Sequence, residues 1–203
     1  MTTPESAEKQ PKRTLPWNEW WVFLQHLLGL IPGRKVPVFD TYKNTAGSLD
    51  GWTEGELTYL IDEGRRQLDR LYADVERIRT RAQFLFTTCV GFLVVIFAGR
   101  GTMLAAKGNA ALALWAAAIL LTGVGLLGAA SVIVASKALG GIDTVKFTNT
   151  EQPRLRNLAV GYCNAMKPAS NTVNTQITVF RDASWLVLLG IMLYGVAWLV
   201  ATL

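Results

Sequence analysis

The sequence predicts an all-α membrane protein: three transmembrane helices, the first continuous with a long cytoplasmic heptad helix, plus an N-terminal amphipathic helix. Three observations predict it. Residues 82–99, 110–136 and 183–203 carry no charge over 18, 27 and 21 residues. A helix rising ~1.5 Å per residue needs about 20 apolar residues to cross a hydrocarbon core ~30 Å thick. The chain of 203 residues is 51% hydrophobic, with a mean hydropathy of +0.27, too apolar for an ordinary soluble domain. Finally, apolar or small residues recur at alternating steps of four and three from Leu57 to Leu85, and no proline interrupts the chain from Val38 until Pro153.

Residues 1–15 are polar, mixed in charge and proline-containing, and read as a disordered tail. They do not form a signal peptide. The next apolar stretch, 20–31, is broken by Gln25 and His26, and no small-residue cleavage site follows it. The first span is then expected to act as the insertion signal. Residues 16–31 predict a helix. Asn18, Glu19, Gln25, His26 and Gly29 share one third of its circumference, and Trp17, Trp20, Trp21, Phe23, Leu24, Leu27, Leu28 and Ile31 cover the rest. Such a helix suits the membrane interface, where amphipathic rings settle. It equally suits packing on the protein or on another copy. Pro32-Gly33 ends it, and residues 33–51 read as irregular, with a short extended piece at 36–40.

Thr53 followed by Glu56 is a capping-box signature. Beyond it, Leu57, Ile61, Gly64, Leu68, Leu71, Val75, Ile78, Ala82 and Leu85 form a heptad seam, so one continuous rod is expected from Thr53 to Gly99, wet below and membrane-embedded above. Leu57, Ile61, Leu68, Leu71, Val75 and Ile78 are the expected oligomer seam; the alternative is that they fold back on residues 142–168. Arg77, Arg79 and Arg81 lie just below the boundary. They suit anionic lipid headgroups, at about 1 kcal/mol per charge, or simply mark the positive-inside stop.

In the second span Gly125 and Ala129 form a small-xxx-small pair of the kind that lets helices approach closely in lipid. Residues 123–128 spell G-x-G-x-x-G, but lie mid-span without the strand and aqueous cleft a dinucleotide needs. Gly140-Gly141 is expected to close this helix, and 144–148 reads as a short strand. Pro153 suits the first turn of a helix reaching about Met166, with Lys167-Pro168 ending it and 170–176 as polar linker. Arg181-Asp182 precede the last span, whose Trp185, Tyr194 and Trp198 fit interface or packing roles.

Lys and Arg number 12 in residues 1–81, two in 100–109 and six in 137–182. Cytoplasmic loops carry the Lys/Arg excess. The expected topology is therefore multi-pass in the bacterial inner membrane, with residues 1–81 and 137–182 cytoplasmic and the C-terminus outside. This topology accounts for the net charge of +5 without a nucleic-acid partner. Cys89 and Cys163 fall in a span and a cytoplasmic segment, so no disulfide is expected.

The chain has one His and no metal-binding pair, phosphate loop or nucleophile elbow. No catalytic residue, metal or cofactor is expected. The loop carboxylates Asp143, Glu151 and Asp182 lack the paired partner that an enzyme acting on lipid requires. The spans hold no ionisable group, which disfavours ion-coupled transport. Thr87 and Thr88 would line a lumen if copies assembled; alternatively they bond back to their own helix.

Residues 68–86, LDRLYADVERIRTRAQFLF, run into the first span, and the Asn-rich 171–182 leads into the last. In both respects the chain resembles the SLATT and Pycsar-type membrane effectors of bacterial antiphage defence. That resemblance implies a long cytoplasmic helix entering a helical hairpin, and oligomers that permeabilise the inner membrane on a nucleotide signal. The third span and the lack of a recognisable nucleotide-binding domain depart from that pattern. The expected function is a self-assembling inner-membrane protein whose partners are the bilayer and further copies. The alternative is a non-conducting anchor that docks a cytoplasmic protein through its heptad helix.

Overall fold

The computed structural model describes residues 16–31, 38–40, 49–105, 109–134 and 154–203. These hold five helices and no strand: α1 (Pro16–Leu28), α2 (Glu54–Ala98), α3 (Arg100–Ala105), α4 (Asn109–Val134) and α5 (Arg154–Thr202). Three of them, α2, α4 and α5, are long and apolar enough to cross a membrane. The tail at 1–15, the strand expected at 144–148 and the Gly140-Gly141 terminus lie outside the described residues.

Helix α2 runs unbroken for 45 residues, ~68 Å at ~1.5 Å per residue. Its start is specified locally. Gly51 takes a left-handed φ of 79°, which a side chain would resist, and turns the chain into the cap. The Glu56 amide donates to Thr53 Oγ1 at 3.4 Å, and the Thr53 amide donates to Glu56 Oε2 at 2.8 Å. The Thr53 amide and, after it, the Thr53 hydroxyl donate to the Glu56 carboxylate and draw it below its ordinary pKa. Asp74 and Arg77 pair at 3.5 Å one turn apart.

Helix α5 corrects the sequence reading. The helix expected to stop at Lys167-Pro168 continues for 49 residues with Pro168 inside it. An interior proline costs about 3 kcal/mol, and tertiary packing outweighs that here. On α5, Ala159, Tyr162, Met166, Ala169, Val173, Gln176, Phe180, Ala183, Val187, Gly190, Tyr194 and Ala197 recur at alternating steps of three and four, and all are buried or half-buried. The residues expected to form a polar linker are helical, and their hydroxyls find bonds: Thr172 Oγ1 donates to Pro168 O at 2.8 Å and Thr175 Oγ1 to Asn171 O at 2.7 Å.

Helices α2 and α5 run parallel and in step. Gly64 faces Tyr162, the Phe92 and Tyr194 rings meet edge to face at 5.7 Å, and Gly99 faces Tyr194 and Trp198. Helix α4 runs antiparallel to both. Gly190 of α5 lies against Ala118 and Thr122, and Gly125 lies against Ala183 and Val187. Trp115 Nε1 of α4 donates to Ile96 O near the end of α2 at 3.1 Å. The result is a three-helix bundle from which the first halves of α2 and α5 project together as a two-helix stalk.

The segment read as a loop at 100–109 contains α3. Gly99 sits in the helical region, with φ −75° and ψ −1°. The Met103 amide donates to Gly99 O at 3.3 Å, and the Met103 side chain is buried.

Candidate functional site

The residues of the expected oligomer seam are used within the chain. Leu57 and Ile61 pack with Leu49 and Ala159 at the far end of the stalk. Leu68 and Leu71 pack with Tyr162, Ala165, Met166 and Ala169. Val75 and Ile78 join Val173 and Val179, together with Phe23 of α1. Within the chain the seam packs on α5 from Ala159 to Val179, partly inside the 142–168 expected and partly beyond it. It continues past Leu85 through Cys89, Phe92, Ile96 and Gly99, all buried or half-buried.

Gly125 sits where α4 meets α5. A Cβ there would lie 2.5 Å from Val187 Cγ2 and 3.0 Å from Ala183 O. Ala129 is fully buried. Gly128 is filled by the Phe23 ring, 2.8 Å from where its Cβ would stand, while Gly123 faces open space. The G-x-G-x-x-G match is therefore a helix-packing surface.

Thr87 and Thr88 are exposed on the outward side of α2, and their hydroxyls donate to Gln83 O and Phe84 O at 3.0 and 2.9 Å. Arg77 and Arg81 are exposed; Arg79 is half-buried, with its Nε enclosed and unbonded. Gln176 Oε1 and Asp182 Oδ2 are likewise buried without a partner.

The densest polar grouping is one the sequence reading missed: the junction of α1, α4 and α5 at the base of the spans. Two polar residues of α1 turn inward. Arg181 Nη2 donates to Glu19 Oε2 at 2.5 Å and, more weakly, to Asp182 Oδ1 at 3.4 Å. His26, 3% exposed, places Nδ1 3.1 Å from Ser131 Oγ. Ser131 Oγ donates its one proton to Gly128 O at 2.7 Å. The imidazole must therefore donate from Nδ1 to the hydroxyl. In this arrangement the serine proton goes to a backbone carbonyl rather than to a base, so the pair is not set up as a nucleophile with its base. The pair is a tether. Burial pushes the His26 pKa down to about 4, so the ring is neutral at pH 7.

A second polar contact lies on the stalk. The Phe39 amide donates to Thr175 Oγ1 at 2.9 Å, and Asp40 accepts from Asn171 at 3.3 Å and pairs with Lys167 at 3.0 Å. The Lys167 ammonium holds the Asp40 carboxyl below its ordinary pKa. The stretch 38–40 thus lies along the polar part of α5, which explains how asparagine and threonine come to be buried there. A cavity of about 280 Å³ opens beside it, lined by Val38, Lys167, Pro168, Asn171 and Thr172. Among the described residues, no three His, Cys, Asp or Glu side chains converge on a metal-sized site, and Cys89 and Cys163 are both free.

No family model matches the chain, and neither does any curated protein or solved structure with which it was compared.

Proposed function

We propose that this chain is a self-assembling protein of the bacterial inner membrane, a pore-forming or membrane-disrupting effector of the antiphage-defence type, controlled from the cytoplasm through its stalk. The observation that carries the reading is the unbroken course of α2 and α5 from polar stalk to charge-free span. A displacement at the far end of α2 reaches the membrane with no proline along the helix to absorb it. Lys/Arg asymmetry supports a cytoplasmic stalk, and residues 68–86 and 171–182 support the likeness to SLATT and Pycsar-type effectors.

The assembly surface in this reading is the outward side of the first span, because α5 occupies the seam. Thr87, Thr88 and Gly91 are exposed there, and a Cβ at Gly91 would meet nothing within 4 Å. Small residues of this kind let a second backbone approach. The threonine hydroxyls bond back to their own helix, the alternative to lining a lumen, so this surface is read as a contact between copies. Mass photometry of the full chain in detergent, paired with dye release from reconstituted liposomes, tests this. Oligomers and leakage are expected. A monomer that never leaks overturns it.

A second reading, a non-conducting anchor for a soluble partner, is favoured by one observation. Tyr59 and Trp52 stand 73% and 43% exposed at the far end of the stalk, where a membrane cannot cover them if the spans are embedded. A soluble protein co-purifying from native membranes in fixed stoichiometry, and lost on Tyr59→Ser, would select this reading.

A further inference from the structure

We propose that α1 is a membrane-interface helix mounted with its polar side inward, and that its outward face, Trp20, Trp21, Leu24 and Leu28, together with Ile31 just past its end, is covered by lipid at the headgroup–acyl boundary. The inference concerns a surface outside the assembly reading and does not depend on it.

Three observations converge. First, the outward face is apolar where a water-facing helix would be polar. Trp21 is 61% exposed, Ile31 52%, Leu24 48%, Leu28 46% and Trp20 44%. Most large side chains on a soluble helix would take the opposite arrangement. Second, the helix turns polar groups toward the protein. Glu19 is held by Arg181, His26 by Ser131, and Gln25 is half-buried. None of the large outward residues needs a hydrogen-bond partner except the two indoles, whose N–H groups suit a wet boundary. Third, the inward contacts fix the depth. Phe23 packs on Gly128, His26 bonds Ser131, and both partners belong to the charge-free run of α4. Glu19 bonds Arg181, which with Asp182 forms the last charged pair before the run at 183–203. The outward face is thus continuous with the apolar surface of the spans: Leu127 of α4 and Trp185 of α5 are also exposed. A protein partner would leave that continuity unexplained, whereas a bilayer covers all three surfaces at once.

Helices of this kind bury their apolar face about 5–10 Å into the headgroup–acyl boundary. The test uses the full chain in nanodiscs with an environment-sensitive fluorescent amino acid at Leu24, and separately at Ile31 in case one variant fails to fold. Arg70, exposed on the stalk, serves as the aqueous control, and Leu120, exposed near the middle of the charge-free run of α4, as the deep control. The expected result is emission at shorter wavelength than at Arg70, with lipid quenchers near the headgroup acting about twofold more strongly than quenchers near the acyl terminus. The opposite preference is expected at Leu120. Water-like emission at Leu24 and Ile31 overturns the proposal. So does shortened emission that neither quencher reaches, which would mean that protein covers the face. Quenching with the depth profile of Leu120 overturns the interfacial placement.

Discussion

The α2–α5 pair is one continuous seam in two solvents, and its halves are built differently. In the stalk the seam carries large side chains: Leu57, Leu68, Leu71 and Val75 against Tyr162, Met166 and Val173. The outward positions there are charged, as at Glu63, Arg66, Asp69 and Arg70. In the span half Ala82, Cys89 and Gly99 alternate with Phe92 and Ile96 along α2, α5 brings Tyr194 against Phe92 and Gly99 while turning Gly190 to α4, and the outward positions are apolar. In water, removing apolar area from solvent is the driving force. In lipid that force between helices vanishes, and close backbone approach replaces it. The difference teaches that one 3–4 spacing serves both regimes, while the outward positions, charged in one half and apolar in the other, report which regime applies.

Adding a methyl group in each half probes that contrast. The largest effect is expected at Gly190→Ala. Its Cβ would press on the Thr122 hydroxyl and lie 3.2 Å from Ala118 O, a backbone atom that cannot move aside cheaply. A loss of about 2–3 kcal/mol is expected, read by thermal or steric-trap unfolding in detergent. An unchanged midpoint would mean that α4 and α5 are not in this close contact.

Acidification is expected to act next, at the junction between the halves. The folded pKa of His26 is about 4 against 6.5 for the free group, so folding favours the neutral ring. The stabilisation is present in full above pH 6.5 and is lost as pH falls from 6.5 toward about 4, amounting to no more than about 3 kcal/mol. Glu19 and Asp182 face the same junction and Arg181 bridges them; burial raises the Asp182 carboxyl, so over the interval from 6.5 to 5 it is the difference between wild type and His26→Leu that isolates the imidazole. His26→Leu should flatten the stability profile there, and a wild-type profile already flat in that interval would remove the histidine from the account.

The smallest effect is expected at Gly64→Ala in the stalk. A Cβ there meets Tyr162 Cβ at 3.0 Å, a side-chain atom. The helix-propensity gain of about 1 kcal/mol roughly offsets the tight contact, leaving a net change within about 0.5 kcal/mol. A loss as large as that at Gly190 would show that the stalk is packed as tightly as the span half.

What was legible in the sequence followed from local chemistry. Thr53 and Glu56 announce the start of α2 because a capping box involves four consecutive residues. The charge-free runs announce the spans because length and hydropathy suffice. Pro168 and the Asn/Thr-rich stretch after it misled for a converse reason: both are local signals against a helix, and each was overridden by distant partners. Ala169 and Val173 are held against α2, while Asn171 and Thr175 meet residues 38–40. The 3–4 spacing from Ala159 to Ala197 was present to be read, but alanine, glycine and glutamine at seam positions disguise it. The His26–Ser131 tether spans 105 residues and had no local signal at all.

By itself, then, the sequence determined the solvent and the position of the three charge-free spans, because charge and hydropathy act residue by residue. Tertiary structure decided which face of each helix found which neighbour. The seam of α2 closed on α5, the polar side of α1 turned inward, and Pro168 was absorbed into a helix. These outcomes depend on complementary surfaces far apart in the chain, and the free energy of such contacts belongs to neither segment alone.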